Sequence, residues 1–270
     1  MTIQNAIDLL LNEHCGGNHI SPTCDIVTVG DVNAELTGVV CTFMATVEVI
    51  RKTVELGANF IITHEPTWFN GTDETEWCAS DRVYLAKKKL LEDSGLTVWR
   101  FHDHMHMGAQ TDFIYEGLLE ELGWRRYLTQ DEALPWVYEI PDTTLRDLAL
   151  FFKDKLGMDV IQTIGRPDCP VRRVGILVGG GTLGLGREVM PMEVMERNDQ
   201  NAIVGGDIYE WTVCAYINDA QQLGMDRGLI TLGHERSEEA GMKYLPALLR
   251  PLLPGIPVHF VSAGEPFVYY

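Results

Sequence analysis

Residues 101 to 108 have the sequence FHDHMHMG, which places three of the chain's eight histidines at alternate positions. On a β-strand successive side chains point to opposite faces, so His102, His104 and His106 would share one face and Asp103 would lie on the other. Three imidazoles on one face are typical of a metal site. The alternative is a solvated strand edge that happens to be rich in histidine.

Two further segments place a histidine and a carboxylate where a predicted strand ends. In ITHEP, His64 and Glu65 are followed by a proline. In LGHERSEE, His234 follows a strand and Glu238 comes four residues later, on the same face if the helix has begun by then. Because sites in α/β sheets form at the carboxyl ends of strands, these segments can converge. Imidazole and carboxylate ligands suit zinc, iron, manganese or nickel.

The composition is that of an ordinary globular protein of 270 residues, 46% of them hydrophobic and 22% charged. The formal net charge of −18 repels nucleic-acid phosphates, so we expect no nucleic-acid partner. We also expect no membrane span, since no stretch approaches the roughly 18 apolar residues that one needs. Asp8 and Glu13 interrupt the N-terminal apolar stretch, which we interpret as a helix rather than a signal peptide. We therefore expect a cytoplasmic protein.

Several other features have less specific interpretations. Six cysteines occur without a CxxC pair, so we expect buried thiols rather than a disulfide framework. The segment HCGGNH, residues 14–19, is an alternative chelate, and His259 in an apolar strand is expected to be structural. The glycines after RRVGILV either permit positive φ angles or present N–H groups to a phosphate. The aromatic residues at 68, 69 and 77 either line a pocket or pack in the core.

Hydrophobic periodicity predicts alternating strands and helices, which indicates an α/β protein with a parallel or mixed sheet. Among these elements are a helix over residues 80–95 and a strand over residues 96–106. We expect one domain over residues 1–270, and lobes 1–166 and 167–270 are the alternative.

The order of these segments resembles the Nif-three-like family of dinuclear-metal proteins, some of which are called GTP cyclohydrolase I type 2 homologues. The matching segments are CDIVTVGD, THEPTWF, HDHMH, RRVGILVGGG, GGD, GHERSE and EPF, of which GHERSE is the most specific. The resemblance implies two similar α/β halves whose mixed sheets face each other across a metal-binding cleft. It also implies a ring-like homohexamer, and 270 residues leave no room for a large inserted domain.

The resemblance implies metal ligands at five positions, which are His64, Glu65, His106, His234 and Glu238. Glu65 stands where the family has a histidine, and His106 stands where the family has an aspartate. The two changes exchange a nitrogen and an oxygen ligand, which is consistent with a rearranged site holding one or two ions. His102 keeps the family's motif histidine as a ligand or an orienting group, and His104 is an additional candidate ligand.

We therefore expect a hydrolase in which a metal activates water and Glu65 or Glu238 acts as general base. The expected substrate is a small molecule, which the resemblance suggests is a nucleotide or a purine-like heterocycle. A second hypothesis is a non-catalytic metal-binding, metal-trafficking or regulatory scaffold, because a catalytic metal must keep an open position. A third is an α/β protein whose histidines hold no metal.

Overall fold

The computed structural model describes residues 1–108, 111–130 and 134–270. Its α-helices are α1 (Ile3–His14), α2 (Val47–Glu55), α3 (Arg82–Asp93), α4 (Asp103–Met107), α5 (Phe113–Leu122), α6 (Leu145–Lys155), α7 (Met190–Arg197), α8 (Ala215–Gln222) and α9 (His234–Leu249). Its strands are β1 (Val27–Val29), β2 (Val39–Thr42), β3 (Phe60–Thr63), β4 (Thr97–Arg100), β5 (Leu128–Gln130), β6 (Trp136–Thr144), β7 (Gln162–Ile164), β8 (Pro170–Leu177), β9 (Ala202–Gly205), β10 (Gly228–Thr231) and β11 (Val258–Phe260).

The chain divides into two compact units. The first comprises Met1–Gly117 and Glu239–Gly264, and the second comprises Leu118–Glu238 and Glu265–Tyr270. The boundary between the alternative lobes, near residue 167, lies inside the second unit. Strands β7 and β8, on either side of this boundary, belong to one sheet. The units therefore do not follow the alternative lobes 1–166 and 167–270.

The first unit contains a mixed sheet with the strand order β1-β4-β3-β2-β11. Strands β11, β2, β3 and β4 run parallel, and β1 pairs antiparallel with β4. Every residue of β2, β3 and β4 is buried, as expected for parallel strands covered on both faces. The side chains of Thr46 and Asp81 cap α2 and α3 by accepting hydrogen bonds from backbone N–H groups. The order β2, α2, β3, α3, β4 confirms the predicted alternation of strands and helices.

The second unit contains another mixed sheet, with the order β5-β6-β8-β9-β10-β7. Strands β8, β9 and β10 are parallel, while β6 and β7 flank them in the antiparallel sense. The predicted α/β class with mixed sheets is confirmed by the two sheets of the described residues. Every helix in these ranges is too short or too polar to cross a lipid bilayer.

The strand predicted over residues 96–106 is wrong beyond Arg100, where β4 ends and a turn leads into α4. The carboxylate of Asp25 accepts the three consecutive backbone N–H groups of residues 102–104, at 2.7, 2.7 and 3.0 Å. Acceptors for these N–H groups stabilise the start of a helix. The three histidines therefore do not share a strand face. His102 and His106 are four residues apart in a helical turn, and His104 points elsewhere.

Besides α4, the elements β5 and α7 were not predicted from the sequence. Helix α7 has the sequence MPMEVMER, and its proline lies in the first turn. Proline is tolerated there because the N–H group it lacks would have had no partner within the helix. Helix α9 begins at His234 itself, so the helix has begun before Glu238, as a shared face of the two residues requires.

Candidate metal centre

The first cluster of candidate residues grows from the carboxyl ends of two neighbouring strands. Strands β3 and β4 pair in parallel with Thr63 opposite Arg100, so the residues that follow them emerge at the same edge of the sheet. His64 comes directly after β3, and its N–H donates to the carbonyl of Phe43 at 3.0 Å. His102 lies two residues beyond β4 and is the N-cap of α4. The sheet topology thus places the two imidazoles side by side.

Three imidazoles meet at this edge. The rings of His64 and His102 stack with centroids 4.5 Å apart and 19° between their planes, and the ring of His106 lies 5.0 Å from each. The Nε2 atoms of His64 and His106 are 3.2 Å apart. His64 is fully buried, whereas the side chains of His102 and His106 are 28% and 20% exposed. The three residues form a group of donors that can hold a metal ion.

Each of these imidazoles has an oxygen acceptor beside its Nδ1 atom. The acceptors are the carbonyl of Phe101 at 3.3 Å from His64, the carboxylate of Asp103 at 3.0 Å from His102, and the carboxylate of Asp112 at 2.8 Å from His106. A carbonyl or carboxylate oxygen carries no proton to donate, so the hydrogen-bond network assigns the proton to Nδ1 in all three rings. The Nε2 atoms then carry the lone pairs.

This arrangement fits a transition metal better than it fits a bare protein. The Nε2 atoms of His64 and His106 lie 3.2 Å apart, and with both protons assigned to Nδ1 their lone pairs repel each other unless a cation lies between them. Zinc binds imidazole nitrogen at about 2.0–2.1 Å, which puts two ligands of a tetrahedral site about 3.3 Å apart. The observed separation is therefore close to that of two ligands sharing one ion.

The protonation state of His102 also suits metal binding. The pKa of His102 is lowered to about 4, first by burial and then by the nearby His64 and His106, against the opposing effects of Glu65 and Asp103. The imidazole is therefore neutral at pH 7. A neutral imidazole is the form that coordinates metals.

Cys24, His102 and Asp103 form a second group whose donor atoms lie close together. Burial raises the pKa of Cys24 to about 12, so the thiol keeps its proton and donates it to Asp103 at 3.4 Å. Burial also raises the pKa of Asp103, but hydrogen bonds from Cys24, Thr23 and His102 outweigh it and hold that pKa well below the usual range. Since metals bind the thiolate, this group is better explained as a hydrogen-bonded support for His102.

Glu65, the predicted ligand or general base, lies at the edge of the imidazole cluster. Its Oε2 accepts from Nη2 of Arg100 at 3.3 Å, and its Oε1 lies 3.8 Å from Nε2 of His102. Arg100 is buried and also donates to the carbonyls of His64 and Gly71, at 3.2 and 2.6 Å. The guanidinium of Arg100 therefore holds both the end of β3, through the carbonyl of His64, and the carboxylate of Glu65.

His104, an additional predicted ligand, is turned away from the other histidines. It is fully buried, and its Nδ1 lies 2.6 Å from Oδ2 of Asp25. Its Nε2 accepts the N–H of Ile20 at 3.4 Å. Both ring nitrogens are thus engaged by protein groups, and the geometry gives His104 a structural role.

The second unit contains the other predicted pair. Nε2 of His234 lies 3.1 Å from Oε2 of Glu238, one helical turn away, which confirms that the two share a face of α9. Nδ1 of His234 lies 2.7 Å from Oδ2 of Asp207. The glycine-rich turn after β8 lies against this pair. Gly179 has a φ of +51°, and a Cβ there would clash with Glu238 and approach Nε2 of His234 to 2.9 Å.

The supporting carboxylates were the residues that sequence reasoning missed. Asp207 belongs to the GGD segment and Asp112 lies just before α5, and the sequence analysis assigns neither to an imidazole. On the predicted strand Asp103 would face away from the histidines. The helical turn instead places its Oδ1 beside His102.

The remaining predicted features are not part of the cluster. His14 and His19 each contact a backbone carbonyl, of Leu248 and Gly17 respectively, rather than each other. Trp68 packs in the core of the first unit, whereas Phe69 and Trp77 are exposed. The six thiols are free, and all except Cys24 are buried.

Comparisons with known proteins give a consistent family. The model of the family described as Duf34/NIF3 (NGG1p interacting factor 3) matches residues 27–266. A Clostridium perfringens protein called GTP cyclohydrolase 1 type 2 homolog is 23% identical over 221 residues, which are 78% of this chain and 76% of that protein. A Staphylococcus aureus protein of the same name is 26% identical over 129 residues, which are 48% of this chain and 34% of that protein.

Solved structures show the same fold. Staphylococcus aureus hypothetical protein SA1388 superposes with a TM-score of 0.76 and 20% identity, over 100% of this chain and 99% of that chain. The Bacillus cereus protein related to NIF3 superposes with a TM-score of 0.73 and 16% identity, over 100% and 99% of the two chains.

Proposed function

Because the chain belongs to the Duf34/NIF3 family, we propose that it is a metal-dependent hydrolase of a small molecule. The observation that carries this proposal is the meeting of three imidazoles, each with an oxygen acceptor beside its Nδ1 atom, with a carboxylate at their edge. The names of the curated relatives support a nucleotide or a purine-like heterocycle as the substrate.

In this proposal His64, His102 and His106 hold one divalent ion of zinc, iron, manganese or nickel. The bound ion supplies a Lewis acid that lowers the pKa of water. Glu65 accepts the proton of the attacking water, because its carboxylate lies at the partly exposed edge of the cluster, where it pairs with Arg100 at 3.3 Å.

His234 and Glu238 are the proposed ligands of a second ion. The contact between His234 and Asp207 supports this role, since a metal-binding histidine normally donates its other ring N–H to a carboxylate or carbonyl. Glu238 is the alternative general base. Its side chain is only 4% exposed, compared with 17% for Glu65, which favours Glu65 for contact with substrate and water.

Metal content per chain tests this proposal. Inductively coupled plasma mass spectrometry on protein purified without a His-tag or chelator should find about two equivalents of transition metal. A His64→Ala/His106→Ala variant and a His234→Ala/Glu238→Ala variant should each lose metal, whereas the exposed His19→Asn control should not. The metal-loaded protein should also convert GTP, which is followed as a change in the absorbance of the purine ring. No metal after incubation with zinc, manganese, iron or nickel would overturn the proposal, and bound metal without turnover would leave a non-catalytic metal-binding protein.

The identity of residue 106 should set the metal preference. His106→Asp restores the ligand type that the related family carries at this position and replaces a nitrogen donor with oxygen. Because carboxylates favour manganese more than imidazoles do, the ratio of zinc to manganese affinity should fall by about 10-fold or more. Competition titrations with both metals measure this ratio. An unchanged ratio would show that residue 106 is not a ligand.

A further inference from the structure

Two carboxylates lie on the outer side of the imidazole cluster, each beside one Nδ1 atom. We propose that Asp103 and Asp112 are positioning residues that hold His102 and His106 with the proton on Nδ1 and the Nε2 lone pair directed at the metal. This inference rests on the proposed function, because it assumes that the imidazoles bind an ion. In this proposal Asp103 and Asp112, which are outside the predicted ligand set, orient the imidazoles before a metal ion binds.

Asp103 is anchored from outside the cluster. Its Oδ2 accepts the Thr23 hydroxyl at 2.8 Å and the Cys24 N–H at 2.9 Å. Its Oδ1 accepts the Cys24 thiol at 3.4 Å and faces Nδ1 of His102 at 3.0 Å. Because these bonds fix the carboxylate in place, it can fix the imidazole in turn. A charged acceptor also strengthens the Nδ1–H bond relative to a neutral one.

The two carboxylate oxygens of Asp112 make different contacts, one with the start of α5 and one with His106. Oδ1 accepts the N–H groups of Ile114 and Tyr115, at 2.9 and 3.1 Å, and so caps the start of α5. Oδ2 faces Nδ1 of His106 at 2.8 Å. The helix cap therefore holds the carboxylate rigidly against the imidazole. The two tasks can be separated experimentally, since serine also caps helices but cannot place a carboxylate beside the ring.

His64 and His104 differ from His102 and His106 either in the acceptor beside Nδ1 or in the partner of Nε2. His64 uses the backbone carbonyl of Phe101 for the same purpose, so no side-chain change removes its support. His104 has a carboxylate on Nδ1 as well, but the N–H of Ile20 occupies its Nε2. In water neither ring nitrogen is fixed as the proton carrier, and the partner of one nitrogen decides the state of the other. Among the three imidazoles of the cluster, His102 and His106 are the two with a carboxylate beside Nδ1.

The test compares Asp103→Asn and Asp112→Ser with the wild type and with Asp93→Asn, a control that alters an exposed carboxylate paired with Lys89. Zinc affinity, measured by competition with a chromophoric chelator, should fall about 10- to 100-fold in each positioning variant and stay unchanged in the control. The visible spectrum of the cobalt-loaded protein should change in the same two variants. The melting temperature of metal-free Asp112→Ser should stay close to that of the wild type, because the helix remains capped.

A second measurement reads the tautomers directly. Long-range ¹H–¹⁵N spectra of metal-free wild type should show the proton of His102 and His106 on Nδ1. In Asp103→Asn the side-chain NH₂ group can donate to Nδ1 of His102, which should move the ring proton to Nε2. Equal zinc affinity and unchanged tautomers in the variants would overturn the positioning role and leave the proposed function standing. Absence of binding of zinc, manganese, iron and nickel by the wild type would instead overturn the proposed function.

Discussion

A Glu65→Gln variant is expected to retain its metal and to lose hydrolysis of GTP by about 100- to 10,000-fold, the usual contribution of a general base. Glutamine keeps the shape of the side chain and an oxygen that can still accept from Arg100, which lies 3.3 Å from Oε2. It cannot accept a proton from water at neutral pH. The loss should therefore appear in turnover rather than in metal content.

The measurement is a rate of GTP conversion at saturating zinc or manganese, with metal content determined on the same sample. Glu74→Gln is the matched control, because Glu74 is an exposed carboxylate in the same loop. A fall in metal content equal to the fall in rate would show that Glu65 is a ligand. Full activity in Glu65→Gln would exclude it as the base and transfer that role to Glu238.

Replacing Arg100 with methionine is expected to lower the free energy of unfolding by about 3–5 kcal/mol, as is usual when one partner of a buried ion pair is removed. Its guanidinium is only 5% exposed and lies 3.3 Å from Glu65 and 3.8 Å from Asp73. Methionine fills much of the volume but removes the positive charge that both carboxylates face. The carbonyl oxygen of Gly71 also loses its 2.6 Å donor.

Urea denaturation of the metal-free protein measures this loss. Arg100→Lys should be intermediate, since lysine keeps the charge but lacks the planar fork that reaches several acceptors. Arg172→Met removes an exposed ion pair with Glu139 and should change stability far less. Equal stability of Arg100→Met and wild type would show that the loop after β3 is held by its apolar contacts instead.

The sequence predicted the strands and helices well where apolar periodicity was strong. Strands β2, β3 and β4 are buried runs bounded by glycine or by polar caps, so their residues alone indicate their structure. The i, i+4 pair of His234 and Glu238 depended only on a helix start, and α9 provides it. The segment after Arg100 was predicted incorrectly, because Asp25, some 77 positions away in the chain, supplies the acceptor that starts α4.

The sequence by itself determined the α/β class and the types of donor available, since residue type and local spacing carry that information. Only the tertiary structure decided which donors meet. Spacing made His102, His104 and His106 equivalent, yet the helical turn and the carboxylates of Asp25 and Asp112 separate a structural histidine from two cluster members. The physical reason is that an imidazole becomes a ligand only when both its direction and its proton are fixed, and the partners that fix them lie on other elements.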